Sequence, residues 1–260
     1  MDFKTKLQKA IDKNNSLLCV GLDPDSARIS GPLDVLDFNK KIIEKTSGFV
    51  CAYKANSAFY EVYGSDGFKF LKMTIDYLGE KYPHIPVIVD AKRADIGSSS
   101  EMYARVVFDY LSADAVTANP YLGEDSLEPF LRRQDKGVII LCRTSNPSAN
   151  DFQLLLVESE PLYIKVAKKV VIWNKKYKNL LLVVGATYPQ DIKKIREIAP
   201  DMTFLVPGIG EQGGDLEKTA RNGLRRDGQG LIISSSRSII YDQDPGLAAK
   251  RLRDEINKYR

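Results

Sequence analysis

Eight short apolar runs recur along the chain, and most contain the β-branched residues that favour strands. The segments between them carry apolar residues at three- and four-residue spacing, which predicts amphipathic helices. Regular alternation of strand and helix is typical of a parallel sheet covered by helices, and eight such units predict a (β/α)8 TIM barrel. We expect residues 1–260 to form a single barrel domain. The predicted strands are 17–22, 49–54, 86–90, 114–118, 137–142, 180–185, 203–206 and 230–234.

Helical patterns fill the gaps between these strands. An open doubly wound sheet is the main competing fold, but it needs a glycine fingerprint in the first turn between strand and helix. That turn here is Gly21-Leu-Asp-Pro-Asp25, which lacks the fingerprint. The barrel is therefore the favoured fold. The predicted helices are 2–14, 34–47, 66–82, 98–111, a segment ending near 133, 160–177, 189–198, 215–224 and 245–258.

Composition narrows the class of protein further. The 260 residues are enough for one barrel, and the net charge of +4 suits a small anionic substrate without by itself indicating nucleic acid. No apolar run approaches the roughly 20 residues of a membrane span, and the polar N-terminus lacks a signal-peptide pattern, so we expect a cytoplasmic protein without membrane contact. Cys19, Cys51 and Cys142 stand apart as predicted buried free thiols. The single histidine, His84, rules out histidine-rich metal sites and histidine-based triads.

Charged residues gather where the predicted strands end. Asp90 ends the third predicted strand and Lys92 follows two residues later, so on continuing strand geometry they are expected to share a face. A surface ion pair would explain that pair alone. However, the carboxyl ends of all strands in this fold meet at one rim, where active sites lie. The other unusual residues predicted for this rim are Asp23, Lys54, Asp95, Ser145, Gln212 and Arg237.

The segment after the seventh strand is typical of a phosphate-binding loop. It reads Pro-Gly-Ile-Gly-Glu-Gln-Gly-Gly over residues 207–214, and glycine lets the backbone approach an anion closely. A helix predicted to start near Gly214 would point its N–H groups at that anion. Arg237, after the eighth strand, supplies a guanidinium suited to phosphate. Loops seven and eight are the usual phosphate site of this fold.

Taken together, these segments closely resemble the orotidine 5′-monophosphate decarboxylases over nearly the whole chain. The short Asp-x-Lys-x-x-Asp pattern marks a wider group of barrels, whereas the phosphate loop and the Thr-Ser-Asn-Pro segment narrow it to the decarboxylases. One departure is Ser236, where other branches have glycine before the phosphate-binding arginine. The matching segments are 90–97 (DAKRADIG), 53–56 (YKAN), 21–25 (GLDPD), 119–123 (NPYLG), 144–147 (TSNP), 207–215 (PGIGEQGGD) and 235–239 (SSRSI).

The resemblance implies a role for each matching residue. Lys54, Asp90, Lys92 and Asp95 match an alternating Lys/Asp network, in which Lys92 protonates C6 of the pyrimidine. Asp95 and Ser99 match residues that enter the active site of the other subunit of a homodimer. Lys54, together with Asp23, would also hold the ribose. Ser145 would face the pyrimidine, with Thr144 as an alternative alignment, and the substrate phosphate would be bound at Pro207, Gln212 and Arg237.

The implied reaction converts orotidine 5′-monophosphate to uridine 5′-monophosphate, the last step of pyrimidine nucleotide synthesis, without cofactor or metal. Loss of CO2 leaves a carbanion at C6, and a fixed ammonium can stabilise that charge in a site poor in water. Asp90 and Asp95 would keep Lys92 protonated until C6 takes the proton.

Two other readings stay open. A related phosphosugar decarboxylase or aldolase would stabilise an enediolate with a divalent metal, or use Lys54 or Lys92 to form a Schiff base. The metal version needs another carboxylate near the second strand, where the chain offers Asn56 and Glu61. A non-catalytic barrel that binds nucleotide or RNA is the second reading, motivated by the basic residues Arg221, Arg225 and Arg226.

Overall fold

A computed structural model describes residues 1–29, 34–209 and 214–260. In this part of the chain eight parallel strands close into a barrel in the order β1-β10-β9-β8-β5-β4-β3-β2. The predicted (β/α)8 barrel is confirmed. The strands are β1 Leu18–Gly21, β2 Ala52–Asn56, β3 Val87–Arg93, β4 Ala115–Ala118, β5 Gly137–Arg143, β6 Leu156–Val157, β7 Glu160–Pro161, β8 Leu180–Val184, β9 Phe204–Val206 and β10 Leu231–Ser235.

Helices surround the barrel and fall close to the predicted segments. Their buried apolar stripes pack against strand residues that are almost completely buried, so the main core lies between the helices and the barrel wall. The helices are α1 Phe3–Asn14, α2 Asp34–Thr46, α3 Ala58–Glu61, α4 Gly64–Lys81, α5 Gly97–Arg105, α6 Glu124–Leu131, α7 Asn150–Gln153, α8 Leu162–Tyr177, α9 Pro189–Ile198, α10 Leu216–Gly223, α11 Arg237–Ile240 and α12 Pro245–Asn257.

The amino-terminal end of the barrel is closed by α1. Phe3 donates its backbone N–H to the Asp135 carbonyl at 2.8 Å, and its ring lies against Gly137. A Cβ at Gly137 would lie 2.5 Å from that ring, so glycine is needed for the helix to seat. In this fold, ligands bind at the opposite rim, where the strands end.

Three local departures from regular structure were not predicted. Strand β3 runs on to Arg93, and its pairing with β4 shifts between Val89 and Arg93. The helix predicted over 98–111 ends its α-helical part at Arg105 and continues as a π-helical turn, Val106–Tyr110. A hairpin of β6 and β7 precedes α8, so the helix predicted from residue 160 begins at Leu162.

Candidate active site

A cavity of about 530 Å³ opens at the carboxyl end of the barrel. This volume is in the range of small-molecule sites, about 300–1,000 Å³. Charged residues from β1–β3 line one side, and apolar residues from β5, β8 and β9 line the other. The lining includes Asp23, Lys54, Asn56, Phe59, Asp90, Lys92, Thr117, Leu141, Thr144, Ser145, Asn146, Val183, Leu205, Pro207, Gly208, Ser235, Ser236 and Arg237.

The centre of the charged wall is Asp90, held between two ammonium groups. Its Oδ2 accepts from Lys54 Nζ at 3.1 Å, and its Oδ1 accepts from Lys92 Nζ at 2.7 Å. Asp90 and Lys54 are nearly buried, whereas the Lys92 side chain is 49% exposed into the cavity mouth. The predicted juxtaposition of Lys54, Asp90 and Lys92 is therefore present, and Lys92 is the most exposed of the three.

Electrostatics keeps the two buried members charged. Burial by itself would raise the pKa of Asp90, but Lys54 and Lys92 outweigh that effect and hold it well below its usual range. Burial by itself would lower the pKa of Lys54, but the carboxylates of Asp23 and Asp90 reverse the shift and hold this pKa well above its ordinary value. Asp23 also accepts the Asn56 backbone N–H at 3.2 Å, which ties the end of β1 to β2.

The backbone at Lys92 is unusual. Its φ is +47°, a left-handed conformation that costs a non-glycine residue energy. Thr117 on β4 stabilises it, because its Oγ1 accepts the Lys92 N–H at 2.9 Å and donates to Asp90 Oδ1 at 2.7 Å. The Lys92 side chain is therefore directed at Asp90 by this irregularity of the strand, which the Thr117 hydroxyl stabilises. Regular alternation along the strand does not account for its direction.

The opposite end of the cavity carries Pro207, Gly208 and Arg237, the described part of the predicted phosphate site. Gly208 has a φ of +97°, and the Gly214 N–H donates to the Gly208 carbonyl at 3.1 Å. A Cβ at Gly214 would lie 2.5 Å from that carbonyl oxygen, so glycine is needed there. These contacts bring the two ends of the 209–214 segment together. Gln212 lies outside the described residues.

The next helix does not fit the predicted anion site. Helix α10 begins at Leu216, and the Asp215 carboxylate accepts the Lys218 N–H at 3.0 Å. A negative charge therefore already caps this helix end, and the prediction that its N–H groups bind phosphate is not supported.

Ser236 stands at the position where the resemblance leads one to expect glycine. Its φ of −128° lies outside the left-handed region that favours glycine. Its hydroxyl donates to the Gly21 carbonyl at 3.2 Å, and a Cβ at Gly21 would lie 2.8 Å from the Ser236 Cβ. The missing side chain at Gly21 thus makes room for the extra side chain at Ser236.

The loop after β5 brings Thr144, Ser145 and Asn146 to the cavity. The Thr144 hydroxyl donates to Asn146 Oδ1 at 2.7 Å and accepts from Gln153 Nε2 at 2.8 Å. Within the described ranges, the Ser145 hydroxyl makes no hydrogen bond to protein. Of the two alternative alignments, Ser145 therefore has the hydroxyl available to a ligand.

Asp95 and Ser99 lie apart from the other predicted site residues. Over residues 1–29, 34–209 and 214–260, neither of them lines the cavity. Asp95 accepts the Ile96 backbone N–H at 2.7 Å, and Ser99 is exposed on α5. One copy of the chain does not bring Asp95 into contact with Asp90 or Lys92.

The geometry weakens both alternative readings. Glu61 is ion-paired with Arg93 at 2.6 Å. The described part of the chain has no group of three His, Cys, Asp or Glu side chains arranged to hold a metal. Arg221 pairs with Glu217 at 2.8 Å, so its charge is partly neutralised on the helix surface.

None of the described helices is long and apolar enough to cross a membrane.

Sequence reasoning missed several cavity residues. Thr117 was the most detectable, because it is a polar residue inside a short buried strand, Ala-Val-Thr-Ala. Asn56 ends β2 and Phe59 lies in α3, and both line the cavity. Ser235 ends β10 and faces the same space.

The fold and this site define a class: (β/α)8-barrel enzymes with a Lys/Asp array at the strand ends. Comparison with known families specifies it further, since residues 16–252 match the model described as the orotidine 5′-phosphate decarboxylase / HUMPS family. The chain belongs to this family. It is a carboxy-lyase, as the sequence predicted.

Individual relatives align over the full length of this chain. A Dehalococcoides mccartyi protein named orotidine 5′-phosphate decarboxylase is 49% identical, with 100% of this chain and 99% of that protein aligned. The structure of Leishmania donovani OMP decarboxylase has a TM-score of 0.92 at 42% identity and covers 100% of this chain and 99% of that one. Leishmania donovani UMP synthase matches with a TM-score of 0.94 at 43% identity, and this chain covers 56% of its length.

Proposed function

We propose that this chain forms one barrel domain and decarboxylates orotidine 5′-monophosphate to uridine 5′-monophosphate without a cofactor, in the synthesis of pyrimidine nucleotides. The observation that carries the proposal is the Lys54–Asp90–Lys92 array on the wall of a cavity that also contains Arg237. The array supplies a proton donor, and the arginine supplies a partner for the substrate phosphate. The names of full-length relatives at 46–49% identity support the same reaction.

Lys92 is the proton donor in this proposal. The bond between C6 and the carboxylate carbon breaks and CO2 leaves. The electron pair of that bond remains on C6. An N–H bond of the Lys92 ammonium then breaks as the C6–H bond forms, and solvent reprotonates the neutral amine. Lys92 suits this role because its side chain is the accessible member of the array and is held 2.7 Å from Asp90. A fixed positive charge stabilises the carbanion more strongly in a cavity from which substrate has displaced water.

Lys54 and Asp90 fix the field around the donor. Both are largely buried, and the ion pair between them favours the charged form of each before substrate binds. Such preorganised charges lower a barrier because they need no reorientation during the reaction. Lys54, with Asp23, also contacts the ribose hydroxyls in this proposal, which is supported by the fact that both residues line the cavity.

The two ends of the nucleotide have separate partners. Arg237, with the backbone around Pro207 and Gly208, binds the phosphate, and Gln212 joins them because the sequence resemblance assigns it to the same phosphate. Ser145 contacts the pyrimidine, supported by its unengaged hydroxyl among the described residues. Phosphate binding at one end supplies energy that holds C6 against Lys92 at the other.

A homodimer would complete the site. Asp95 and Ser99 would enter the cavity of the second subunit, placing a further carboxylate beside the partner's lysine. An interface at this position is supported by Ile96, the residue after Asp95, whose apolar side chain is 64% exposed. We also propose a cytoplasmic location, with no nucleic acid or membrane as partner. Three buried free cysteines fit such a reducing compartment.

The test is a decarboxylation assay on protein treated with EDTA. Loss of the substrate's ultraviolet absorbance should proceed at the same rate with and without the chelator. Turnover only after a divalent metal is added would favour the metal-dependent reading instead. No turnover under either condition would refute the proposed function.

A further inference from the structure

Arg143 is a fully buried arginine at the end of β5, with only 1% of its side chain exposed. Its Nε lies 2.9 Å from Asp191 Oδ2, while Nη2 donates to Asn150 Oδ1 at 2.8 Å and Nη1 donates to Gln153 Oε1 at 3.3 Å. The guanidinium also lies 3.9 Å from the ring centroid of Tyr188. Burying such a charge is costly unless it is paired and hydrogen-bonded, and these contacts meet that need.

Gln153 connects the buried Arg143 guanidinium to the residues that line the cavity. Its Oε1 accepts both the Arg143 guanidinium and the Thr144 backbone N–H, the latter at 2.9 Å, and its Nε2 donates to Thr144 Oγ1 at 2.8 Å. Thr144 Oγ1 in turn donates to Asn146 Oδ1 at 2.7 Å. The hydrogen-bond chain therefore runs from a buried cation to the segment 144–146, whose three residues line the cavity.

The same segment is held from its other side. Thr187 donates its hydroxyl to the Ser145 carbonyl at 3.2 Å. A Cβ at Gly185 would lie 2.8 Å from the Ser145 backbone, so the segment rests directly on the end of β8. Ser145 is thus clamped between Gly185 and the bonds of Gln153. A loop held on both sides keeps its side chains in place before a ligand binds.

We propose that Gln153, oriented by Arg143, is a positioning residue that holds the 144–146 segment for recognition of the pyrimidine ring. The inference rests on the proposed function and extends it to residues that do not touch the ligand. In the described part of the chain, neither Arg143 nor Gln153 lines the cavity. Their effect should therefore be confined to the base end of the nucleotide and leave the phosphate end unchanged.

The experiment compares two ligands in two variants. Gln153→Leu keeps the side-chain bulk and removes the hydrogen bonds, and Asp151→Ala changes an exposed neighbour in the same helical turn as a matched control. Affinities for uridine 5′-monophosphate and for ribose 5-phosphate, which lacks the base, are measured by calorimetry. Gln153→Leu should weaken the nucleotide about ten-fold, the change that about 1.4 kcal/mol produces, and ribose 5-phosphate by less than about two-fold. Asp151→Ala should change neither affinity.

A second variant removes the other end of the same bonds. Thr144→Val should show the same selective loss, and the double variant should lose no more than either single one, because both changes break one chain of contacts. If Gln153→Leu fails to fold, Thr144→Val alone still tests the inference, because it removes the side-chain hydrogen bond between the same two residues. The inference would be overturned if the losses of affinity in the two single variants added up in the double variant. It would also be overturned if Gln153→Leu weakened both ligands equally or left nucleotide binding unchanged. A wild-type protein that does not bind the nucleotide would refute the proposed function itself.

Discussion

Replacing Thr117 by valine removes one oxygen atom from the site and leaves the side chain's shape nearly unchanged. That oxygen accepts the Lys92 N–H at 2.9 Å and donates to Asp90 at 2.7 Å. Both contacts act on the proposed proton donor, one through its backbone and one through its carboxylate partner. We expect Thr117→Val to lower kcat while the barrel stays folded.

The size of the effect follows from two contributions. A hydrogen bond to a charged group is worth about 1.5–3 kcal/mol, and an unsatisfied buried N–H costs about 1–3 kcal/mol. These contributions overlap and water replaces part of them, so we expect a barrier increase of about 2–3 kcal/mol. That increase corresponds to roughly a 30- to 160-fold loss in kcat.

Steady-state assays with orotidine 5′-monophosphate measure this loss, with thermal unfolding of each variant as the check on folding. Thr117→Ser keeps the hydroxyl and should retain a rate within about three-fold of wild type, which separates the hydrogen bonds from the side-chain volume. A Thr117→Val enzyme with a near-normal kcat would refute the idea that this hydroxyl aims Lys92.

Further predictions concern the proton donor, the phosphate site, the dimer and acid stability. Lys92→Ala should lower kcat by several powers of ten while nucleotide binding stays measurable by calorimetry. Arg237→Ala should chiefly raise KM for the phosphorylated substrate. Mixing inactive Lys92→Ala and Asp95→Ala chains should restore part of the activity, because one site of each heterodimer would be intact. Asp90 has a depressed pKa in the folded state, so its stabilising effect is complete above its unfolded value of about 3.9 and is lost as pH falls toward the folded value. Acid unfolding of wild type should therefore show a pH dependence that is weaker in Asp90→Asn.

Each of these has a contrary outcome. A near-normal rate in Lys92→Ala would remove that residue as proton donor, and an unchanged KM in Arg237→Ala would move the phosphate site elsewhere. Proven heterodimers without any recovered activity would count against shared sites. Equal acid sensitivity of the wild type and Asp90→Asn would mean that other carboxylates dominate the acid transition.

The barrel and the charged wall were predictable because their signals are local. Apolar runs mark strands, and a lysine or aspartate inside or just after such a run is rare enough to stand out, as with Lys54 and Asp90. The fold then brings all strand ends to one rim, so sequence position alone predicts that these side chains meet. For Lys92 the predicted position was right but the reason was wrong, since its orientation depends on a positive φ and on Thr117.

Features that depend on particular backbone conformations or side-chain contacts were not predicted. The β6–β7 hairpin turns at Glu158 and Ser159, which both have positive φ, yet neither is the glycine or asparagine that usually marks such a turn. The helix after the phosphate loop was predicted to point its N–H groups at an anion, but the Asp215 carboxylate caps it instead. The bonds from Arg143 to Gln153 join the end of β5 to a helix whose position no spacing rule indicates.

Release of CO2 from substrate labelled at the C6 carboxylate tests the central claim most directly. Wild-type protein in EDTA should release one CO2 for each uridine 5′-monophosphate formed, and Lys92→Ala from the same preparation should release almost none. The account would be contradicted if the wild-type protein released no CO2, or released it only after a divalent metal was restored. Equal release of CO2 by Lys92→Ala would contradict the claim that the Lys92 ammonium drives the decarboxylation.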